Sequence, residues 1–472
     1  MHQCIDNEFY DEGCELFWQI TGLHITIEGD YADYGCDDEP EFYEAVDVIG
    51  LDLDVDRLIL DGLYAAYQSV PMKKRPQALY EIIDESGSSI TLEALMQAGE
   101  KDLPEWEEFL NAWVSFLGKI QGKNADRLLK EALNLQNGHE SFLAAARTFV
   151  DVHPELYMQY LARGLEDGLQ KEDGSHPWDG PGDEEMLAVG QEALRAICPK
   201  YLVRSRTALL TAVYALRLKQ QETAERCWLE AFRSDTREVN YLRLCTESAD
   251  FSIYRREAAQ IIWEGQKTIK EQNRYFTESI PENRMHPTTY FALTFFQGDF
   301  QQVIEKGMNT KEALGWSSTF MKYGIELFLL YLYRGNELSS GCRCMCMWAV
   351  QNSSFHKDEY AQGLLCLADS EAAILFWQCF CKWKASVSIP EEQEEAIIKR
   401  LEKWIALRVE GIMEKNHRNY YGECAAFIAA LGEVKESRGE SGQKARLMES
   451  YKTAYPRRRS FHAELRRFGM KK

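Results

Sequence analysis

Helix breakers are scarce in this chain: 12 prolines and 31 glycines punctuate 472 residues. That scarcity weighs against a loop-rich or many-turned β fold, whose turns are built on those residues. Long apolar runs are missing too. The most apolar stretch, Tyr323 to Tyr333, spans 11 residues and contains Glu326, whereas a membrane-crossing helix needs about 20. No membrane contact is expected. Met1 to Tyr10 carries acids where a secretory signal has a basic region and an apolar core. Catalytic signatures are absent as well. There is no G-x-S-x-G, no Walker loop, no G-x-G-x-x-G and no H-E-x-x-H. The nine histidines stand singly, none beside a nucleophile pattern. Carboxylate pairs are common in any acidic helical protein and select nothing. A non-catalytic protein without cofactor is therefore expected; a hydrolase site assembled from distant residues is the minor alternative.

Positive charge is nearly absent from residues 1–60, which hold 17 Asp or Glu against Arg57, a net of −16. Residues 444–472 reverse this, with ten Lys or Arg against two Glu, a net of +8. The whole chain carries −21, so general binding to phosphate backbones is disfavoured. Local contact through the basic end stays open. Asp52, Asp54 and Asp56 alternate, and Asp37, Asp38, Glu39 and Glu41 cluster. Neither has the glycine and terminal glutamate of a calcium loop. A solvated acidic face is expected there, with docking of a basic partner as the alternative.

What remains is rich in core and helix formers: 45% hydrophobic and 12% aromatic, enough to exclude a disordered chain. The length corresponds to roughly two to four domains. Trp106, Phe109, Leu110, Trp113, Leu117 and Ile120 recur at steps of three and four, which predicts a helix over Glu105–Gln121. Helices are also expected from Asp56 (Leu60, Leu63, Tyr64 and Tyr67 on one face), at Asn124–Leu135, at Glu140–Val150 and at Pro154–Leu169. Thr21–Glu28 permits a short strand, and Tyr31–Glu41 reads as an acidic loop. Lys171–Asp183 holds five Gly or Pro and no period, so it is the expected linker or surface loop.

Beyond it the helices look paired. Leu209, Ala212, Val213 and Leu216 form one stripe, a polar turn follows at Lys219–Gln221, and Ala224, Cys227, Trp228 and Ala231 form the next. Such pairs are the unit of tetratricopeptide (TPR)-like solenoids. A looser copy occupies Tyr290–Phe296 and Phe300–Lys306 around a Gly298-Asp299 turn. More helices are expected at about 316–334, 338–350, 359–384, 390–415, 420–437 and 443–455. No fixed 34-residue period aligns them. The expected fold is all-α: an irregular TPR-like α-solenoid of stacked helix pairs behind a short, less regular acidic N-terminal segment. The divisions are 1–60, 61–170, 171–183 and 184–472.

Four stretches stand out: Thr207–Cys245, FALTFFQGDFQQVIEKG (Phe291–Gly307), Leu314–Tyr333, and the end, RNYYGECAAFIAALGEVKESRG followed by RLMESYKTAYPRRRSFHAELRRFG. Together they resemble the helical region of bacterial SWIM zinc-finger proteins. The resemblance covers about residues 190–472. A SWIM finger supplies three thiolates and an imidazole through C-x-C and C-x-H, and this chain contains no C-x-H. The finger's zinc and DNA binding are therefore not implied.

The 13 cysteines, an odd number, suit reduced thiols in a cytosol rather than a disulfide scaffold. Cys342, Cys344 and Cys346 form C-x-C-x-C; Cys379 and Cys381 form a second C-x-C, with Cys366 between. Together they could close a zinc site, but residues two apart on a helix point away from each other. With Met345, Met347, Trp348, Phe376, Trp377 and Trp383 beside them, they read as core. At the basic end, Arg457, Arg458, Arg459, Arg466 and Arg467 are the candidate contacts to an anionic partner. Phe461, Leu465 and Phe468 lie at helical spacing, which predicts a docked last helix. The expected function is a bacterial, cytoplasmic protein–protein interaction scaffold or adaptor with one or more protein partners. The alternative is a subunit of a nucleic-acid-processing or defence assembly that contacts DNA or RNA through the basic C-terminus.

Overall fold

The computed structural model describes residues 1–23, 42–43, 46, 53–99, 101–136, 138–166, 180–269, 280–310, 312–353, 355 and 369–471. The fold is all-α, with 74% helix and no strand among the described residues; the one bridge is an isolated antiparallel pairing of Tyr201 with Glu282. No helix is long and apolar enough to cross a membrane. The chain divides into two compact units, residues 1–180 and 181–472.

The first unit contains α1 (His2–Asp6), α2 (Tyr10–Thr21), α3 (Val55–Ser69), α4 (Arg75–Ser86), α5 (Leu92–Met96), α6 (Trp106–Leu117), α7 (Lys123–Leu135), α8 (His139–Thr148) and α9 (Glu155–Glu166). The N-terminus is more regular than expected, because α2 is amphipathic and buries Phe17 against α3. Asp54, one of the alternating acids, is the N-cap of α3: its carboxylate accepts from the Arg57 amide at 2.9 Å. Helix α6 follows the predicted stripe, burying Phe109, Leu110, Trp113 and Leu117; Trp106, its first residue, is half-buried, and so is Ile120, which lies beyond the helix because it ends at Leu117. The expected strand over Thr21–Glu28 is described only at Thr21–Leu23, where Thr21 closes α2 and Gly22 caps it; its remainder and the loop over Tyr31–Glu41 lie outside the described residues. So does most of the Lys171–Asp183 stretch, whose last residue opens the next helix.

The second unit begins with α10 (Asp183–Ala196), α11 (Leu202–Arg217), α12 (Gln221–Ser234), α13 (Glu238–Glu247) and α14 (Arg255–Thr268). Neighbours in sequence pack as neighbours in space from α10 to α13. The polar turn between α11 and α12 lies where expected, with Lys219 in the left-handed region at φ 58°. Helix α11 buries far more than one stripe. Thr207, Ala208, Leu210, Thr211, Tyr214 and Ala215 are covered because α10 and α12 flank it on two sides, while Val213 and Leu216 are only half-buried.

Then come α15 (Pro287–Phe296), α16 (Phe300–Gln302), α17 (Phe320–Leu332), α18 (Ser340–Asn352), α19 (Asp369–Ala385), α20 (Glu391–Glu414), α21 (Tyr421–Ser437), α22 (Gln443–Ala454) and α23 (Arg459–Arg467). The helix expected over Phe300–Lys306 changes type after one turn, passing into a π turn at Val303–Gly307. An aromatic cluster joins α15, α17 and α19: Trp383 lies 5.0 Å from Phe296 and 5.3 Å from Phe295 between ring centroids, and its indole N–H donates to the Phe296 carbonyl at 2.7 Å. Helix α21 is buried in every residue from Cys424 to Val434. Five helices pack on it: α17, α18, α20, α22 and α23. A one-dimensional stack contacts only its neighbours, so the C-terminal part of this unit is clustered around α21 rather than strung out.

Candidate functional site

The basic C-terminal element is positioned by apolar docking. Phe461 and Leu465, one turn apart on α23, are fully buried, and the Phe461 ring meets Tyr421 edge-on at 5.7 Å. Phe468 is half-buried at the end of the same helix. The arginines divide into two kinds. Arg458 is engaged inside the fold: its guanidinium donates to the Met413 carbonyl and to the Asn416 side chain, each at 2.5 Å. A cation there also favours the carbonyl end of α20. Arg457, Arg459, Arg466 and Arg467 are exposed, and Arg467 pairs with Glu464 at 2.8 Å.

The cysteines of α18 and α19 differ in burial. Cys342, Cys346 and Cys379 are buried, Cys344 is half-buried and Cys381 exposed. Burial pushes the Cys346 thiol up to about 12 and raises those of Cys342 and Cys379, which opposes the thiolate a metal needs. Among the described residues no three of these sulfurs lie together at ligating distance; Cys366 lies outside them. Met345, Phe376 and Trp383 are core as expected. Met347 is 48% exposed, because it sits on the face of α18 opposite Met345; Trp348 and Trp377 are half-buried.

Two buried carboxyls are embedded in the second unit. Glu326 sits in the middle of α17 with one oxygen accepting from the Asn352 amide at 2.8 Å, and its other oxygen has no partner among the described residues. Burial pushes its pKa up to about 8. Glu238, in the first turn of α13, is raised to about 8 by the same cause. Arg408, by contrast, is a buried charge with every arm engaged. Its Nε donates to Glu423 at 2.9 Å, Nη1 to the Ala313 carbonyl at 2.6 Å, and Nη2 lies 2.8 Å from the same carboxylate.

The first unit contains a cluster that the sequence did not suggest. His153, fully buried, directs Nδ1 at the Asp126 carboxylate (2.8 Å) and at Glu155 (3.4 Å), and Nε2 at the Leu117 carbonyl (3.0 Å). Burial lowers the imidazole pKa, but the hydrogen bonds to Asp126, Glu155 and Leu117 outweigh it and raise the value to about 9. Asp126 is 27 residues away along the chain, so no local motif announces the group.

Helix α14 shows an exposed aromatic. Trp263 is 53% exposed, with the Lys267 ammonium 3.7 Å above its ring centroid one turn later. Ile253, just before the helix, is 70% exposed. Compared with family models, with curated proteins and with solved structures, the chain matches none of them.

Proposed function

We propose that the protein is a non-catalytic interaction scaffold or adaptor whose α-solenoid, TPR-like part is the run of stacked helices from α10 to α13, working in a bacterial cytoplasm. The stacking of consecutive helices from α10 to α13 supports the solenoid reading. The observation that carries the interaction reading is Trp263, a large indole left half in water on a folded helix. Indoles are the preferred anchors of protein interfaces, where their burial excludes the most water per side chain. The test is tagged purification from the native host with mass spectrometry, comparing the wild-type chain with Trp263→Ala/Ile253→Ala. A stoichiometric partner that the double variant loses supports the reading. An identical eluate from both, or no partner at all, counts against it.

The second reading is a subunit of a nucleic-acid-processing or defence assembly. The exposure of Arg457, Arg459, Arg466 and Arg467 favours it. Contact with phosphates would make affinity fall steeply with salt. Replacing these four arginines by alanine would then flatten the slope, and an unchanged slope would remove the reading. The ratio of absorbance at 260 and 280 nm, before and after nuclease, shows whether nucleic acid co-purifies.

A further inference from the structure

We propose that Asp126, His153 and Glu155 form a binding site for a divalent first-row transition-metal ion of the zinc or manganese(II) class. The argument starts from distances. Such ions hold nitrogen and oxygen ligands at about 2.0–2.2 Å, which places adjacent ligand atoms roughly 3 Å apart. Here Nδ1 lies 2.8 Å from the Asp126 oxygen and 3.4 Å from the Glu155 oxygen, and all three ligating atoms fall within 4.8 Å of one another.

The imidazole is also oriented for the task. Nε2 faces a carbonyl oxygen, which only an N–H donor can satisfy. The other nitrogen is thereby directed at the two carboxylates and becomes the ligand once its proton leaves. A metal-bound histidine is held this way, by a hydrogen bond from its remote nitrogen to a carbonyl or carboxylate. Binding exchanges the Nδ1 proton for the ion, and two carboxylates then neutralise its two charges.

The supports are rigid. Asp126 lies in the first turn of α7 and Glu155 is the first residue of α9, while His153 is fully enclosed. The Asp126 and Glu155 side chains are 40% and 25% exposed, so one side of the cluster is open for water to complete the coordination. One nitrogen and two oxygens, with no thiolate, suit zinc or manganese(II) better than copper(I), and the nitrogen disfavours magnesium. Two helix N-termini oppose a cation at this place, and the imidazole holds its Nδ1 proton up to a pKa of about 9, so the donor geometry has to outweigh both.

The test uses the full chain, treated with chelator and desalted, and titrated calorimetrically with zinc chloride, manganese(II) chloride and magnesium chloride. Expected is one saturable zinc or manganese(II) ion per chain, no saturable magnesium, and weakening of about tenfold or more in Asp126→Asn and in Glu155→Gln. Both changes are at partly exposed carboxylates and are checked for intact helicity by circular dichroism; His153→Gln, at a buried position, is not relied on. Absence of a saturable site would overturn the proposal. So would one-to-one binding that both variants retain, since the ion would then sit elsewhere.

Discussion

Lys444 holds its ammonium 2.6 Å from the Glu433 carboxylate, where α18, α21 and α22 meet. The same carboxylate accepts from the backbone amides of Gly341 (2.9 Å) and Cys342 (2.8 Å) and from the Ser340 hydroxyl (3.1 Å). It thus neutralises the amide end of α18 from a neighbouring helix. Glu433→Ala removes the acceptor and leaves buried donors behind, and a loss of about 3 kcal/mol is expected. Glu433→Gln retains one oxygen and should lose less. Urea unfolding of both variants checks the order; equal losses would assign the whole effect to the charge and none to the retained oxygen.

Gly341 is required by the contact of α18 with α21. A Cβ there would stand 2.4 Å from the Ala430 amide nitrogen, and backbone cannot move aside as a side chain can. Alanine gains about 1 kcal/mol of helix propensity over glycine, yet overpacking costs about 1–3 kcal/mol. Gly341→Ala is expected to lower the unfolding midpoint despite its better propensity. A raised midpoint would show that the two helices can separate freely.

Stability should fall as pH rises through neutrality. Glu326 and Glu238 have folded values of about 8 against an ordinary 4.5. Between those values the folded chain holds protons that the unfolded chain has released. Their contribution is complete below pH 4.5 and is lost as pH climbs through about 8. Melting temperatures between pH 5 and 9 should decline, and Glu326→Gln, which cannot ionise, should decline less. A parallel decline in the variant would assign the effect to other groups.

Thiol labelling should proceed in two stages. Cys198 and Cys381 are exposed, whereas Cys342, Cys346 and Cys424 are buried, and burial pushes the thiols of Cys346 and Cys424 up to about 12. A maleimide should modify the first two in the native protein and reach the other three only after unfolding. Chelator should leave the pattern unchanged; release of Cys342 or Cys346 by chelator would point to a metal among them.

The arginines of the basic end should separate in the same spirit. Arg458→Ala removes two hydrogen bonds within the fold and is expected to cost about 1 kcal/mol. Arg457→Ala and Arg459→Ala, at exposed positions, should leave stability within about 0.5 kcal/mol. Chemical denaturation distinguishes them, and equal losses would mean that Arg458 contributes nothing particular.

Helices were legible where one face is apolar and the other polar, as on α6, and where a breaker marks the turn, as at Lys219. A helix covered on several sides carries no single apolar stripe to mark it. On α11 the buried Thr207 and Thr211 return their hydroxyls to carbonyls one turn back, Val203 at 2.9 Å and Thr207 at 2.8 Å, so polar residues enter the interior without spoiling it. Helix α14 escaped notice because few of its residues are apolar: Ala258, Ile261 and Ile262 make up its buried set. The π turn at Val303–Gly307 has no marker in a binary pattern. The His153 cluster was hidden for another reason. Asp126 and His153 come from different helical hairpin segments, and only the packed chain brings them together.

The enclosure of α21 has a consequence for synthesis. Helices α17 and α18 leave the ribosome well before the helix that covers them. The chain between Asn352 and Tyr421 is about 70 residues, which takes roughly 4–14 s at 5–20 residues per second. Throughout that interval the faces of α17 and α18 destined for α21 have no partner from their own chain. Folding of this unit is therefore a waiting problem as much as a packing one.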